Sequence, residues 1–215
     1  MPDEFRLDVI SDVVCPWCYI GQRRLAEARA RLPEDDPARC TTLRWHPFQL
    51  NPDMPPTGIS RQRYVETKFG GPQRAAEIHA RVSAAGATVG IAFAFDRIER
   101  QPNTRNAHRL IDWAQAQRDA SDLVERLFRA FFVEGRDIGD RAVLAAVAGE
   151  AGFDSGAARA MLESGEGADA IDAMERSARE IGVQGVPFFI LNRRIAVSGA
   201  QEPAVLLDAI AQAKA

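Results

Sequence analysis

The chain has 215 residues, 46% of them hydrophobic and 27% charged, with a formal net charge of -3. That balance describes an ordinary globular protein able to bury a core, and it gives no basic footprint for nucleic acid or an acidic membrane surface. No stretch approaches the roughly 20 apolar residues of a membrane span, and Met1-Pro2-Asp3-Glu4 has none of the features of a secretory leader, so a cytoplasmic setting is expected.

Phe5, Leu7 and Val9 alternate with polar neighbours and Ile10 closes the run, which predicts a strand. Cys15-Pro16-Trp17-Cys18 follows, and Cys18, Leu25, Ala28 and Leu32 then keep helical spacing up to Pro33. Thr41 to Leu50 reads as a second strand with Leu43 and Trp45 on one face, so a β-α-β unit is complete within the first 50 residues. The Pro-rich stretch from Asn51 to Gly58 is the best linker candidate.

From Ser60 to about Gly165 the pattern predicts helices only. One stripe is Ala75, Ile78, Val82 and Ala85; a second is Ala107, Leu110, Ile111 and Ala114. Leu123, Leu127, Phe128, Phe131 and Phe132 make a third, and shorter helices start at Asp140 and at Asp154 or Ser155. Ile171, Met174, Ala178 and Ile181 form a last stripe that ends at Gly182. Phe188 to Leu191 and Arg194 to Val197 read as strands joined by a turn at Asn192-Arg193, and Pro203 opens a terminal helix.

The two cysteines, separated by Pro16 and Trp17, carry the clearest chemical signal. A thiol at the first turn of a helix faces unpaired backbone N–H groups and the positive end of the helix dipole. Both favour the thiolate, the form that attacks a disulfide, and Cys18 lies one helical turn from Cys15. Trp17 would offer an apolar platform to a ligand beside a reactive Cys15. Two other readings stay open: half of a zinc site completed by Cys40 and one of His46, His79 or His108, and inert core. Cys40 is the odd thiol, placed at the start of the second strand as a structural or partly exposed residue. His46 ends that strand on the side of the first helix, where it either approaches Cys15 or is solvated. On local pattern alone, Asn103 and Thr104 are a helix cap and His108 a surface histidine. Pro187, at a strand start, is a position where a missing N–H costs nothing.

Ser11-Asp12-Val13-Val14-Cys15-Pro16-Trp17-Cys18-Tyr19-Ile20-Gly21, Asn103-Thr104-Arg105-Asn106-Ala107-His108-Arg109-Leu110, Gly185-Val186-Pro187-Phe188-Phe189 and Ser198-Gly199-Ala200-Gln201 occur in that order. In motifs and order the chain resembles the DsbA-like thioredoxin-fold oxidoreductases, and within them the FrnE-like branch. The resemblance implies an α/β thioredoxin-like fold with an inserted all-helical domain: residues 1–55 and 167–215 would form the thioredoxin-like part and 56–166 the insertion. It implies Cys15 as nucleophile, Cys18 as resolving thiol and Pro187 as a cis-proline facing them. Pro16, Trp17 and Val186 would touch substrate, with His46 as a further candidate near Cys15 and Asn103 and Thr104 as candidates toward the interdomain cleft.

The expected activity is dithiol–disulfide exchange on a protein or small-molecule disulfide. No metal and no bound cofactor are called for, but glutathione is a candidate co-substrate. The alternative is a glutathione-dependent isomerase or transferase acting on a small aromatic substrate. The same fold serves 2-hydroxychromene-2-carboxylate isomerases and kappa-class glutathione transferases, which usually have serine in this motif. A non-enzymatic holdase using the cleft is a third reading, and a dimer is left open.

Overall fold

The computed structural model describes residues 5–215. The expectation drawn from Met1 to Glu4, and the first four residues of the expected first segment, lie outside the described residues. Strand β1 (Leu7–Ser11) runs into helix α1 (Pro16–Ala30), and a four-residue helix α2 (Pro37–Cys40) precedes strand β2 (Leu43–Pro47). After the insertion come helix α9 (Ala168–Glu180), strands β5 (Phe188–Leu191) and β6 (Ile195–Ser198), and helix α10 (Pro203–Lys214). These strands form one sheet in the order β2-β1-β5-β6. β1 pairs with β2 in parallel and with β5 antiparallel, and β5 pairs antiparallel with β6.

Its position beside two neighbours explains why β1 is buried along its whole length, although its sequence alternates. α1 and α10 pack together, with α10 against β5 and β6, while α9 packs against β2. On the α9 side a small core joins Ile10, Phe48, Ala178 and Val183. Helix α9 ends as the glycine predicted: Gly182 takes φ 89°, and the Val183 N–H reaches back to the Ala178 carbonyl at 3.1 Å.

Between β2 and α9 lie α3 (Arg61–Phe69), α4 (Pro72–Ala87), α5 (Arg105–Gln115), α6 (Ser121–Phe132), α7 (Arg141–Glu150) and α8 (Ser155–Glu163). Asp140 and Asp154 cap α7 and α8 by accepting first-turn N–H groups. The segment is not helices only: β3 (Ile59–Ser60) and β4 (Arg100–Gln101) pair as a short antiparallel ribbon. Two-residue strands carry no readable alternation, which is why the pattern missed them. Phe128, Phe131 and Phe132 are buried, and Tyr19 of α1 stacks on Phe128 with ring centroids 5.0 Å apart. That contact carries the core continuously from the sheet into the helices.

Two side chains from α5 complete the frame. Gln115 closes the outer edge of β2, accepting the Trp45 N–H and donating to the Trp45 carbonyl, each at 3.0 Å. Arg109, buried, donates to the carbonyls of Met161, Leu162, Ser164 and Glu166 at and just beyond the end of α8. Among the described residues, no helix is long and apolar enough to cross a membrane.

Candidate active site

The loop after β1 delivers Cys15 to the N-cap of α1 in an extended conformation, φ -94° and ψ 111°. Pro16 then occupies the first helical turn, where its missing N–H leaves no bond unmade. The Cys15 carbonyl accepts the N–H groups of Cys18 and Tyr19, and the Cys15 N–H donates to the Asp12 carbonyl at 2.9 Å. This winding keeps the two cysteines near each other at the start of α1, both as free thiols that are not bonded to one another.

Both cysteines are buried, and their sulfurs have different surroundings. Cys15 Sγ donates to the Val186 carbonyl at 3.6 Å, with half-buried Pro16 and Val186 beside it and Trp17 exposed at 41%. Cys18 is the inner thiol. Burial pushes its pKa well above the usual thiol range, and the neighbouring Cys15 adds to this; the Asp12 backbone and the Ser11 hydroxyl favour the thiolate and offset part of the rise.

The peptide bond between Val186 and Pro187 is cis, and Pro187 is buried against α1. The carbonyl that precedes this bond, that of Val186, is the one the Cys15 thiol meets.

Other expected residues have different partners. His46 Nε2 lies 2.7 Å from Asp8 Oδ1, and Arg6 Nε lies 2.7 Å from the other carboxylate oxygen. Burial would raise the Asp8 carboxyl, but the hydrogen bonds from His46 and Arg6 outweigh it and hold the group at about 2. His46 is therefore engaged by Asp8 rather than by Cys15. Asn103 accepts the Arg105 N–H at 2.9 Å and donates to the Met54 carbonyl at 2.6 Å, so its amide organises the start of α5. Thr104 is the buried N-cap residue of that helix. Cys40 is exposed at the end of α2, not at the start of a strand, and its thiol donates to the Glu34 carbonyl at 3.1 Å. No group of three or more His, Cys, Asp or Glu side chains arranged to hold a metal ion is found among the described residues.

Two residues near the site were not legible as such. His108, read locally as a surface histidine, is buried, with Nε2 3.4 Å from Asp12 Oδ1. The partner comes from the far end of the sequence, so no local pattern signals it. Tyr64 on α3 lies close enough to Asp12 and Cys15 for their charges to act on its phenol. Burial raises that phenol's pKa, and a hydrogen bond with Asn51 opposes the rise. Tyr64 and Tyr19 are the chain's two tyrosines. The available signal was an aromatic hydroxyl on a helix with no fully buried residue.

Residues 6–211 match the family model described as a DSBA-like thioredoxin domain. A crystal structure of a probable DsbA oxidoreductase from Streptomyces coelicolor is 31% identical, with a TM-score of 0.86 over 98% of this chain and 90% of that chain. A 2-hydroxychromene-2-carboxylate isomerase is 19% identical, with a TM-score of 0.71 over 96% of this chain and 94% of its own. The cytosolic disulfide reductase DsbM from Pseudomonas aeruginosa, solved with GSH, is 20% identical, with a TM-score of 0.59 over 97% and 95%. At these identities the last two establish similarity of fold alone.

Proposed function

The chain belongs to the DSBA-like thioredoxin domain family, and from that premise we propose that it is a dithiol–disulfide oxidoreductase working through Cys15 and Cys18. The observation that carries this reading is the pair of neighbouring free thiols at the start of α1, with the Cys15 thiol against the Val186 carbonyl and beside exposed Trp17.

Cys15 sulfur attacks one sulfur of a substrate disulfide, forming a mixed disulfide and releasing the other as a thiol. Cys18 then attacks Cys15 sulfur; the Cys15–Cys18 bond forms, the mixed disulfide breaks, and the second substrate thiol leaves. The substrate is reduced by two electrons and the enzyme dithiol is oxidised. Two molecules of glutathione, as co-substrate, return the dithiol and become glutathione disulfide. Trp17 and Pro16 supply apolar contact for the segment carrying the disulfide, and Val186 and Pro187 border it on the opposite side.

Reduction is the favoured direction in a reducing compartment, because the thiol pool there returns the Cys15–Cys18 pair to its dithiol form after each turnover. The cytosolic reductase among the structural neighbours agrees with that setting.

The test is glutathione-coupled reduction of insulin. Turnover is expected for the native chain and should vanish in Cys15→Ser; unchanged turnover in that variant would refute the assignment. Activity on a chromene carboxylate plus glutathione that persists in Cys18→Ser would instead identify the isomerase chemistry of the fold's other members.

A further inference from the structure

The far end of the sheet holds a basic cleft that thiol exchange does not use. Its volume is about 810 Å³, and Arg6, Arg44, Arg118, Arg193 and Arg194 line it together with Asp112. Arg6 stands just before β1 and the cysteines follow its end, so the cleft and the thiols lie at opposite ends of that strand. Alternation along the strands explains the placement. Ile10 packs toward α9; Asp8, two residues earlier, shares its face and is paired in register with Arg44 of β2. Among the described residues, none from α9 lines the cleft, so this end of the sheet face meets solvent.

The chain as a whole is acidic, with 30 Asp and Glu against 27 Lys and Arg, and the cleft reverses that balance. Arg6 and His46 both bond Asp8, which takes up that carboxylate. Arg44, Arg193 and Arg194 are exposed, and their guanidiniums form no ion pair among the described residues. Arg118 lies 4.0 Å over the Phe153 ring and donates to the Ala151 carbonyl at 2.8 Å, which fixes its position. The turn between β5 and β6 adds a second observation. It is closed by the Arg194 N–H on the Leu191 carbonyl at 3.0 Å, with Asn192 at φ 50° and Arg193 at φ 56°. Asparagine tolerates this left-handed conformation, but glycine suits the second position and an arginine side chain there costs stability. Such strain gathers where a side chain is held for a ligand.

We propose that this cleft binds a small molecule carrying two or three phosphate groups, held by Arg44, Arg118, Arg193 and Arg194. Guanidinium forks match phosphate oxygens, and a phosphate can take forks from more than one wall at once, whereas one fork fills a carboxylate. The four guanidiniums against Asp112 leave an excess of positive charge that a short run of phosphates would balance. The volume falls in the range of small-molecule sites. The inference stands apart from the dithiol reading and does not depend on it.

The experiment is titration calorimetry of the full chain with inorganic tripolyphosphate at about 0.1 M salt, where diffuse surface charge is largely screened. Saturable binding is expected. Arg44→Gln and Arg193→Gln should each weaken it about tenfold, the loss of one charge-assisted hydrogen bond. Arg44→Lys should recover only part of the affinity, because an ammonium keeps the charge and lacks the fork. Arg159→Gln, an equal change of charge on α8 outside the cleft, should bind as the native chain does. Arg193→Gly should raise Tm while lowering affinity, a pairing that a merely structural role for the arginine would not produce. Cys15→Ser should bind tripolyphosphate at native affinity, so a failure of the dithiol reading would leave this result standing. Absence of saturable binding to the native chain, equal weakening by Arg159→Gln, or citrate bound as tightly as tripolyphosphate overturns the proposal. A lower Tm in Arg193→Gly would assign that arginine to the fold and overturn it as well.

Discussion

Gly21 lies so close under Pro187 that a methyl group placed on it would stand 2.8 Å from the ring Cγ and 3.2 Å from the Phe189 ring. The glycine is helical, so the need is for space rather than for an unusual backbone angle. Six residues after Cys15, it lets α1 press against the proline whose preceding carbonyl meets the outer sulfur.

Gly21→Ala should therefore push Pro187 and α1 apart. The expected cost is about 1–3 kcal/mol in urea unfolding, typical of overpacking, together with lower kcat/KM for disulfide reduction. An equally stable, equally active variant would mean that this contact does not position the site.

Cys40 should be chemically accessible and functionally silent. Its thiol is exposed at the end of α2 and bonded to the Glu34 carbonyl. Maleimide should modify Cys40 before Cys18 in the native chain, as peptide mass spectrometry would register, and Cys40→Ser should keep its insulin-reducing activity. Loss of activity in that variant would place the working thiol elsewhere.

Acid sensitivity should trace in part to Asp8. The ordinary carboxyl value is 3.8, and hydrogen bonds from His46 and Arg6, against the opposing effect of burial, lower it to about 2. Because the folded value is the lower one, this group's stabilisation is complete above about pH 4 and lost as pH falls toward about 2. Asp8→Asn should cost about 2 kcal/mol near neutrality. Urea melts across the acid range should show the gap between variant and native chain closing through that window; a constant gap would assign the loss to packing.

Arg109 offers a stability test separate from thiol chemistry. Its buried guanidinium serves four carbonyls at and beyond the end of α8 and also donates to Asn106. Arg109→Met would leave those acceptors unsatisfied, and a loss of about 3–5 kcal/mol is expected. Thermal melts would measure it, while Cys15 alkylation below the transition should proceed at the native rate.

The sheet and its helices were legible because their signals are local. Alternation marks β1, Phe188 to Leu191 mark β5, and Gly182 and Pro203 punctuate the helices. The cysteine motif was legible because its position after a strand and before a helix gives the spacing a geometric meaning. Helix α2 is too short for periodicity, although Asp36 before Pro37 is a cap signature and its carboxylate accepts the Ala38 N–H. The outcome for His108 was hidden because Asp12 reaches it only through packing of α5 against the sheet region. His46 likewise turns to Asp8, a choice made by side chains across paired strands that no run of residues records.

The most direct measurement is a map of the disulfide formed when the reduced chain is titrated with one equivalent of a substrate disulfide, digested and sequenced by mass spectrometry. A link joining Cys15 to Cys18, with Cys40 still a thiol, is the predicted result. A link through Cys40, or full recovery of both motif cysteines as thiols, would contradict the account.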